Sequence, residues 1–386
     1  MKAQTITALL LILHTLIVSG QTSKETVKGN NSFAFELFKN VFATDKNTFI
    51  SPYSISSALA MTYGGARNET ELQMSKVLHY DLNQTNTHQG FFELNSTLGK
   101  LSNDSTINLS IANALWKDEH WGFKQDYLDL AKRFYDASIF PLTGAKPIND
   151  WADKKTNGKI KEIVKDSDLA NVRLVLTNAI YFKGDWLTKF DAKNTRKEKF
   201  KTLNGSSTDV DMMYQRSVVN YFEDEKNQIL ELPYKGETMS MIIILPKEIN
   251  SIKNLVSSIN TKQFSFYKSE LRKQEVKIFL PKFSFTSEYH LENILPLMGM
   301  PDAFNQTKAD YTGMSGGLSI SKVIHKAFIE LNEKGSEAAA VTAVIMVEKS
   351  ARQEITFKAD SPFMFFICDK QTESILFMGC VLNPND

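Results

Sequence analysis

The segment Glu333–Arg352 combines the composition of a central strand with the surroundings of a surface loop. Its middle, Ala338–Val347, holds ten residues without charge, Pro or Gly, and five of them are Val, Ile or Thr, which favour strands. An exposed strand of this kind recruits other strand edges. Yet a polar, charged segment, Glu348–Glu354, follows at once. We interpret the segment as a loop that is exposed in the native chain and becomes a strand later.

The sequences on both sides of this loop, together with motifs upstream, resemble those of the serpins. The resemblance extends from about Phe33 to Pro384. It rests on Glu-Lys-Gly-Ser-Glu-Ala-Ala-Ala at the start of the loop, Ser-Pro-Phe-Met-Phe-Phe-Ile and Ile-Leu-Phe-Met-Gly after it, and on Asn47-Thr-Phe-Ile-Ser-Pro-Tyr-Ser-Ile-Ser, Leu176-Thr-Asn-Ala-Ile-Tyr-Phe-Lys-Gly-Asp-Trp, Leu230-Glu-Leu-Pro-Tyr and Phe279-Leu-Pro-Lys-Phe upstream.

The chain begins with the pattern of a secretory signal peptide. Lys2 is the only charge before Lys24, Ala8–Val18 is mostly apolar, and small residues precede position 21. We therefore predict that residues 1–20 are removed and that the protein is secreted. No later apolar run is long enough to span a membrane, so no membrane partner is expected.

Charge and composition predict a single domain that binds no nucleic acid. Removing Lys2 from the 45 basic residues leaves 44, equal to the 44 acidic ones, and a balanced charge disfavours polyanions. No linker, repeat or low-complexity tract divides the chain. With the resemblance, this predicts one serpin domain over residues 21–386, monomeric in the native state.

Apolar periodicity predicts an α+β protein. A stripe from Phe33 to Phe42 indicates a helix with Ser32 as its cap, and Ser54–Tyr63 indicates a buried helix. Predicted strands include Ile107–Ile111, Leu174–Phe182, Met239–Leu245, Val276–Leu280 and the Leu318 to Ile320 alternation. The resemblance implies about three sheets, eight or nine helices, and an exposed reactive-centre loop at about residues 334–354.

The two cysteines are predicted to be buried free thiols. An even number in a secreted chain suggests a disulfide. However, Phe363–Cys368 and Ile375–Val381 indicate one hairpin, in which Cys368 faces about Ile375 and Cys380 faces about Phe363. That register keeps the two thiols too far apart to bond.

No catalytic, metal or cofactor site is predicted. Gly313-Met-Ser-Gly-Gly matches a nucleophile elbow, but that motif requires a strand before it and a helix after it. A polar run precedes it and an alternating strand-like pattern follows, so a glycine loop is the favoured interpretation. The six His residues lack metal-ligand spacing.

Basic residues do not form a strong polyanion site. The densest run, Lys193–Lys201, is interrupted by Glu198 and fits a solvated surface. Heparin-responsive serpins often carry a basic helix where this chain has His88–Lys100, which has Lys100 as its one long cation. Heparin activation is therefore not expected there. A weaker alternative is formed by Lys268, Arg272, Lys273 and Lys277.

Glycosylation acceptor motifs follow the Asn-x-Ser/Thr rule at eight positions. The weakest candidate, Asn108, lies in a predicted strand. The other seven candidates are Asn30, Asn68, Asn83, Asn95, Asn103, Asn204 and Asn305.

The resemblance implies a protein that inhibits proteases by sacrificing its own loop. In the family, a protease attacks the loop and forms an acyl-enzyme, and the cleaved loop then inserts into the main sheet. Family spacing places the reactive bond at Lys349–Ser350, with Arg352–Gln353 as the alternative. A cation before the bond predicts a trypsin-like serine protease as the covalent partner. Inhibition of cysteine proteases remains an open alternative.

Insertion requires that every second residue of the loop can enter the core. Counting from Ser336, that set is small or apolar throughout, and one charge there would cost several kcal/mol to bury. This favours an inhibitor over a non-inhibitory relative that carries ligands or assists folding. The family's hinge, where insertion begins, corresponds to Glu333, Gly335, Ser336, Ala338, Ala339, Ala340 and Thr342.

Two further groups match control points of the family. The first is the shutter, a polar cluster beneath the place where strands part, formed here by Ser51, Ser54, Asn178 and His325. The second is the breach at the top of the sheet, where Glu333 and Lys282 match an ion pair beside Trp186.

Overall fold

The computed structural model describes residues 2–101, 107–170, 172–335 and 354–386. Five hinge residues (Ser336, Ala338, Ala339, Ala340 and Thr342), both candidate reactive bonds (Lys349–Ser350 and Arg352–Gln353) and Asn103 lie outside them. Within the described chain, the helices are α1 (Lys2–Val41), α2 (Pro52–Tyr63), α3 (Asn68–Leu78), α4 (Gln84–Leu101), α5 (Gln125–Tyr135), α6 (Ala145–Lys155), α7 (Ser251–Ser258), α8 (Thr261–Glu270) and α9 (Leu295–Met298).

Strands alternate with the helices in the first half of the chain and dominate the second half. They are β1 (Thr48–Ile50), β2 (Ile107–Lys117), β3 (Ser138–Pro141), β4 (Leu174–Gly184), β5 (Arg196–Lys201), β6 (Ser207–Glu223), β7 (Asn227–Pro233), β8 (Met239–Pro246), β9 (Arg272–Pro281), β10 (Phe283–His290), β11 (Lys322–Leu331), β12 (Ile355–Lys358), β13 (Phe363–Asp369) and β14 (Ile375–Val381). The α+β prediction is confirmed.

The strands form a five-stranded and a nine-stranded sheet. The five-stranded sheet has the order β10-β11-β4-β2-β3, and the other has the order β1-β14-β13-β8-β7-β6-β9-β12, with β5 also paired to β6. The long strand β6 pairs with β9 through Met212–Tyr221 and with β7 through Asn220–Glu223. The sequence predicted about three sheets. In the structure, β6 joins the strands of two of them into the single nine-stranded sheet.

Two apolar clusters hold the layers together. The larger one fills the space between the sheets and includes α1, α2 and both C-terminal strands. The smaller one lies between α6 and the outer face of the five-stranded sheet, where Ile148 and Trp151 of α6 pack with Val175 and Ala179 of β4 and Ile324 of β11. Helix α6 therefore covers the outer face of the β4–β11 pair at these positions.

Two local predictions are wrong. Helix α1 is continuous from Lys2, and the Ser32 hydroxyl donates to the Lys28 carbonyl inside it, so Ser32 is not a cap. Leu318 and Ile320 are buried but lie before β11, which begins at Lys322. Buried alternation there comes from an irregular segment packed on the core, which periodicity alone does not distinguish from a strand.

The predicted state of the cysteines is confirmed. Both thiols are free and buried, with Cys368 opposite Ile375 and Cys380 opposite Met364, one residue from the predicted register. Burial raises the pKa of Cys368 to about 12.

No helix within the described residues has both the length and the apolar composition needed to cross a membrane. In the same part of the chain, no group of His, Cys, Asp and Glu is arranged to hold a metal ion.

Candidate functional site

The site is centred on the seam between β4 and β11, which we define as their shared ladder. The two strands run parallel and pair from Val175 and Lys322 up to Tyr181 and Phe328. Both strands continue for three more residues, to Gly184 and Leu331, without pairing to each other. The seam is therefore closed along most of its length and open at its upper end.

The chain leaves β11 at this open end through a tightly held turn, Asn332–Gly335. The Trp186 amide donates to the Lys334 carbonyl at 3.0 Å, and the Phe190 amide donates to the Glu333 carbonyl at 2.9 Å. Gly335 has φ +110°, and a Cβ there would lie 2.2 Å from the Gly184 carbonyl oxygen. Only glycine allows so close a backbone approach in this conformation.

The breach residues are in contact. Lys282 Nζ lies 3.1 Å from a carboxylate oxygen of Glu333, and the Thr195 hydroxyl donates to the same carboxylate at 2.8 Å. Burial tends to raise the pKa of Glu333, but hydrogen bonds from its own backbone, Thr195 and Lys282 outweigh burial and lower it. Trp186 stacks on Tyr234 and donates its indole N–H to the Asn332 carbonyl.

Polar side chains meet at the closed part of the seam. His325 of β11 lies directly opposite Asn178 of β4, and its Nδ1 lies 2.6 Å from the Asn178 amide oxygen. The Ser51 amide donates to His325 Nε2 at 3.1 Å, so the ring is neutral with its proton on Nδ1. Complete burial lowers the pKa of His325 to about 3. The imidazole thus bridges the seam without a charge.

Helix α2 holds the other two shutter residues beneath the seam. Ser51 caps α2, because its hydroxyl accepts from the Ser54 amide, and Pro52 occupies the first turn, where its missing N–H is harmless. The Ser51 hydroxyl also donates to the Leu376 carbonyl of β14 at 2.7 Å. Asn178 Nδ2 donates to the Ser54 hydroxyl. All four predicted shutter residues therefore belong to one hydrogen-bonded cluster.

Two residues that contact these groups are absent from the sequence-based prediction. Asn113 of β2 lies opposite Asn178 and accepts from its Nδ2 at 2.6 Å, which extends the cluster to a third strand. The sequence does carry a signal for Asn113, because this polar residue interrupts the apolar segment Ile111–Leu115. Thr195, which contacts Glu333, lies in a polar loop and carries no such signal.

The nucleophile-elbow motif does not occupy an elbow. Its segment lies in turns before an irregular stretch, and Ser315 is 7% exposed. A nucleophile elbow places its serine between a strand and a helix, at the top of a sheet. The glycine-loop interpretation is confirmed.

A search of protein-family models matches residues 28–384 to "Serpin (serine protease inhibitor)". The chain belongs to the serpin family. An uncharacterized serpin-like protein of Thermococcus kodakarensis is 41% identical over 376 residues, covering 94% of this chain and 87% of that protein. The native thermophilic serpin tengpin superposes with a TM-score of 0.85 at 31% identity, covering 92% of this chain and 94% of its own.

The same fold occurs in relatives that differ in activity. Human thyroxine-binding globulin, solved in complex with its ligand, superposes on this serpin with a TM-score of 0.84 at 29% identity, covering 95% of this chain and 100% of its own. Members of the family are generally protease inhibitors rather than enzymes. Fold alone therefore does not separate an inhibitory serpin from a carrier.

The predicted glycosylation sites differ in exposure. Asn30 is 3% exposed and its side chain accepts from Ser56, so this packing leaves no space for a glycan. Asn95 is half-buried and accepts from the Tyr53 hydroxyl at 2.5 Å. The exposed candidates are Asn68, Asn83, Asn204 and Asn305.

Four of the nine basic residues in the two sets named from the sequence are paired with carboxylates. In the Lys193–Lys201 run, Lys197 pairs with Asp211 and Lys199 with Asp209, both at 3.0 Å. In the weaker alternative, Lys268 pairs with Glu373 and Lys277 with Glu354, which leaves Arg272 and Lys273 exposed. Neither set forms a concentrated cationic surface.

Proposed function

We propose that this serpin is a suicide-substrate inhibitor of trypsin-like serine proteases. The observation that carries the proposal is the partly open seam, with the start of the reactive loop held at its open end. A chain that turns back at Gly335 and enters between β4 and β11 would run antiparallel to both. One parallel ladder would be replaced by two antiparallel ones, which are slightly more stable per residue.

The proposed reactive bond is Lys349–Ser350, and Arg352–Gln353 is the alternative. Fourteen residues, Ser336–Lys349, would span roughly 46 Å as a strand, so an attached protease would be carried about the length of the molecule. In this proposal the breach releases Glu333 first and the shutter then lets β4 and β11 separate.

A ligand carrier is the alternative, and the structural similarity to thyroxine-binding globulin supports it. The loop composition favours the inhibitor, because Ser336, Ala338, Ala340, Thr342, Val344 and Met346 can all enter a core. Secretion, the monomeric state and glycan use are further predictions, and so is the possibility of cysteine proteases as targets.

Incubation with trypsin tests the proposal. We expect a covalent complex that survives boiling in detergent, together with a fragment of residues 350–386 identified by intact mass. Clean cleavage without a complex would identify a substrate or a carrier instead.

A further inference from the structure

The chain contains two Asn–Gly peptides, and both are open to a spontaneous chemical change. Asn157–Gly158 follows helix α6, and Asn204–Gly205 lies in the turn between β5 and β6. All four residues are exposed. Glycine has no Cβ, so its backbone nitrogen can approach the side-chain amide carbon of the preceding Asn without hindrance. The contacts of each Asn side chain therefore determine which of the two reacts.

The two glycines have closely similar backbones. Their φ angles are +80° at Gly158 and +81° at Gly205. The Gly158 N–H donates to the Asp153 carbonyl at 2.9 Å. The Gly205 N–H donates to the Thr202 carbonyl at 3.1 Å. The attacking nitrogen thus has nearly the same surroundings at both sites and does not distinguish them.

The side chain of Asn204 is held in place by hydrogen bonds. Its oxygen accepts from the Ser206 backbone N–H at 3.0 Å, and the hydroxyls of Ser206 and Thr202 lie 2.7 and 2.6 Å from the same oxygen. To bring its amide carbon over the Gly205 nitrogen, Asn204 must give up this arrangement. Each net hydrogen bond that is lost slows the reaction about fivefold.

The side chain of Asn157 is held by no such contacts. It makes no hydrogen bond with any residue in the part of the chain that the structure describes. Its backbone has φ +52°, a left-handed conformation that Asn adopts more readily than most residues. Ring closure here breaks the hydrogen bond from Gly158 to Asp153, which has its counterpart at the other site, and no side-chain hydrogen bond among the described residues.

We propose that Asn157 is a site of spontaneous deamidation. The Gly158 nitrogen bonds to the amide carbon of Asn157 and gives its proton to water, while the side-chain nitrogen takes up a proton and leaves as ammonia. A succinimide ring remains, and water opens it at either carbonyl. The product is aspartate or isoaspartate, in which the main chain runs through the former side-chain carbon. Water is the only co-reactant, and the reaction does not depend on the proposed inhibitory function.

The modified peptide lies in the segment that fastens α6 to the seam. The Thr156 hydroxyl accepts from the Ile160 N–H at 2.9 Å. Lys159 Nζ lies 3.5 Å from a carboxylate oxygen of Glu330 and 5.1 Å from the centre of the Phe328 ring, both on β11. Phe328 is the last residue of β11 that pairs in the seam. Isoaspartate lengthens the main chain between Thr156 and Lys159 by one carbon atom, so it displaces these contacts.

The test follows both Asn residues in one molecule. Mass spectrometry of proteolytic peptides measures the Asn, aspartate and isoaspartate forms at positions 157 and 204 during incubation at neutral pH. The chain is produced in a bacterial cytoplasm, because a glycan on Asn204 would protect that residue independently. Thr202→Val and Ser206→Ala are combined to free the Asn204 side chain, and incubation in urea gives the unfolded reference.

In the folded chain, Asn157 should deamidate at least about fivefold faster than Asn204. In urea the two rates should become similar, because the turn no longer holds its hydrogen bonds. The combined Thr202→Val and Ser206→Ala variant should raise the rate at Asn204 about fivefold and leave the rate at Asn157 unchanged.

The effect on the seam is measured by thermal unfolding of fresh and incubated chain. Incubated wild type should unfold at a lower temperature than fresh protein. Asn157→Gly keeps the left-handed backbone and has no amide to lose, so its unfolding temperature should not change on incubation. Asn157→Asp carries the charge of the product without the longer main chain, and it should unfold close to wild type.

Equal rates at the two residues in the folded chain, or a faster reaction at Asn204, would overturn the proposal. An unfolding temperature that stays constant while isoaspartate accumulates at position 157 would overturn the effect on the contact between α6 and β11. Neither result bears on the inhibitory function, which the covalent complex with trypsin tests separately.

Discussion

At the residue scale, His325 gives the seam a dependence on pH. Its pKa is lowered from 6.5 to about 3, so the folded chain favours the neutral ring. At pH values between about 3 and 6.5, His325 is protonated in the unfolded chain but not in the folded chain. The folded state therefore loses stability as the pH falls below 6.5. At pH 5, His325 should lower the free energy of unfolding by about 2 kcal/mol relative to pH 7.5.

Urea unfolding of wild type and His325→Gln at both pH values measures this contribution. His88, whose pKa burial lowers to about 4, contributes to both proteins and cancels in the comparison. An equal loss of stability in wild type and variant would contradict the role of His325.

Single residues also determine which bond of the loop the protease cuts. Lys349→Ala should abolish trypsin inhibition and Arg352→Ala should spare it, because trypsin-like pockets bind a cation immediately before the bond that they cut. Inhibition kinetics and the mass of the released fragment measure the outcome. The opposite pattern would move the reactive bond to Arg352–Gln353.

The resemblance to the family predicted much of the candidate site, whereas residue types alone would have left His325 as an ordinary buried histidine. His325 and Asn178 stand in apolar surroundings, and the structure places both in one cluster with Ser51 and Ser54. Thr195 was not predictable, because its contact with Glu333 depends on how a polar loop folds back over the sheet. The extension of α1 towards the N-terminus, as far as Lys2, was likewise not predictable from capping residues.

At the element scale, insertion between β4 and β11 makes position 336 a sensitive probe. Ser336→Arg leaves the reactive bond unchanged, but an inserted strand would bury that side chain without a partner, at a cost of several kcal/mol. Slower insertion lets the acyl-enzyme hydrolyse, and each 1.4 kcal/mol on the barrier is about tenfold in rate. The moles of inhibitor consumed per mole of protease inactivated should rise well above one.

The matched control is Glu337→Arg, since the next residue of a strand faces the opposite side. Its stoichiometry should stay near that of wild type. Equal values for both variants would mean that insertion does not proceed in this register.

Strand prediction succeeded where both faces of a strand are buried and failed at irregular segments. Met239–Pro246 is buried at every position, as its continuous apolar sequence indicates. The pairing of β6 with two neighbours, by contrast, depends on contacts between residues far apart in the chain.

At the scale of the whole molecule, the native chain should be less stable than its cleaved form. Cutting the loop frees a strand that can pair inside the five-stranded sheet, whereas a nick destabilises most proteins. We expect the temperature of thermal unfolding, followed by circular dichroism, to rise after limited cleavage in the loop. A lower or equal temperature would argue against loop insertion.

The positions of β13 and β14 also bear on how this chain folds. β14 lies between β1 and β13, and β13 pairs in turn with β8, so both strands lie inside the sheet. A chain that lacks them has nothing to place between β1 and β8. A premature stop before Phe363 therefore removes two interior strands of the sheet rather than an edge strand.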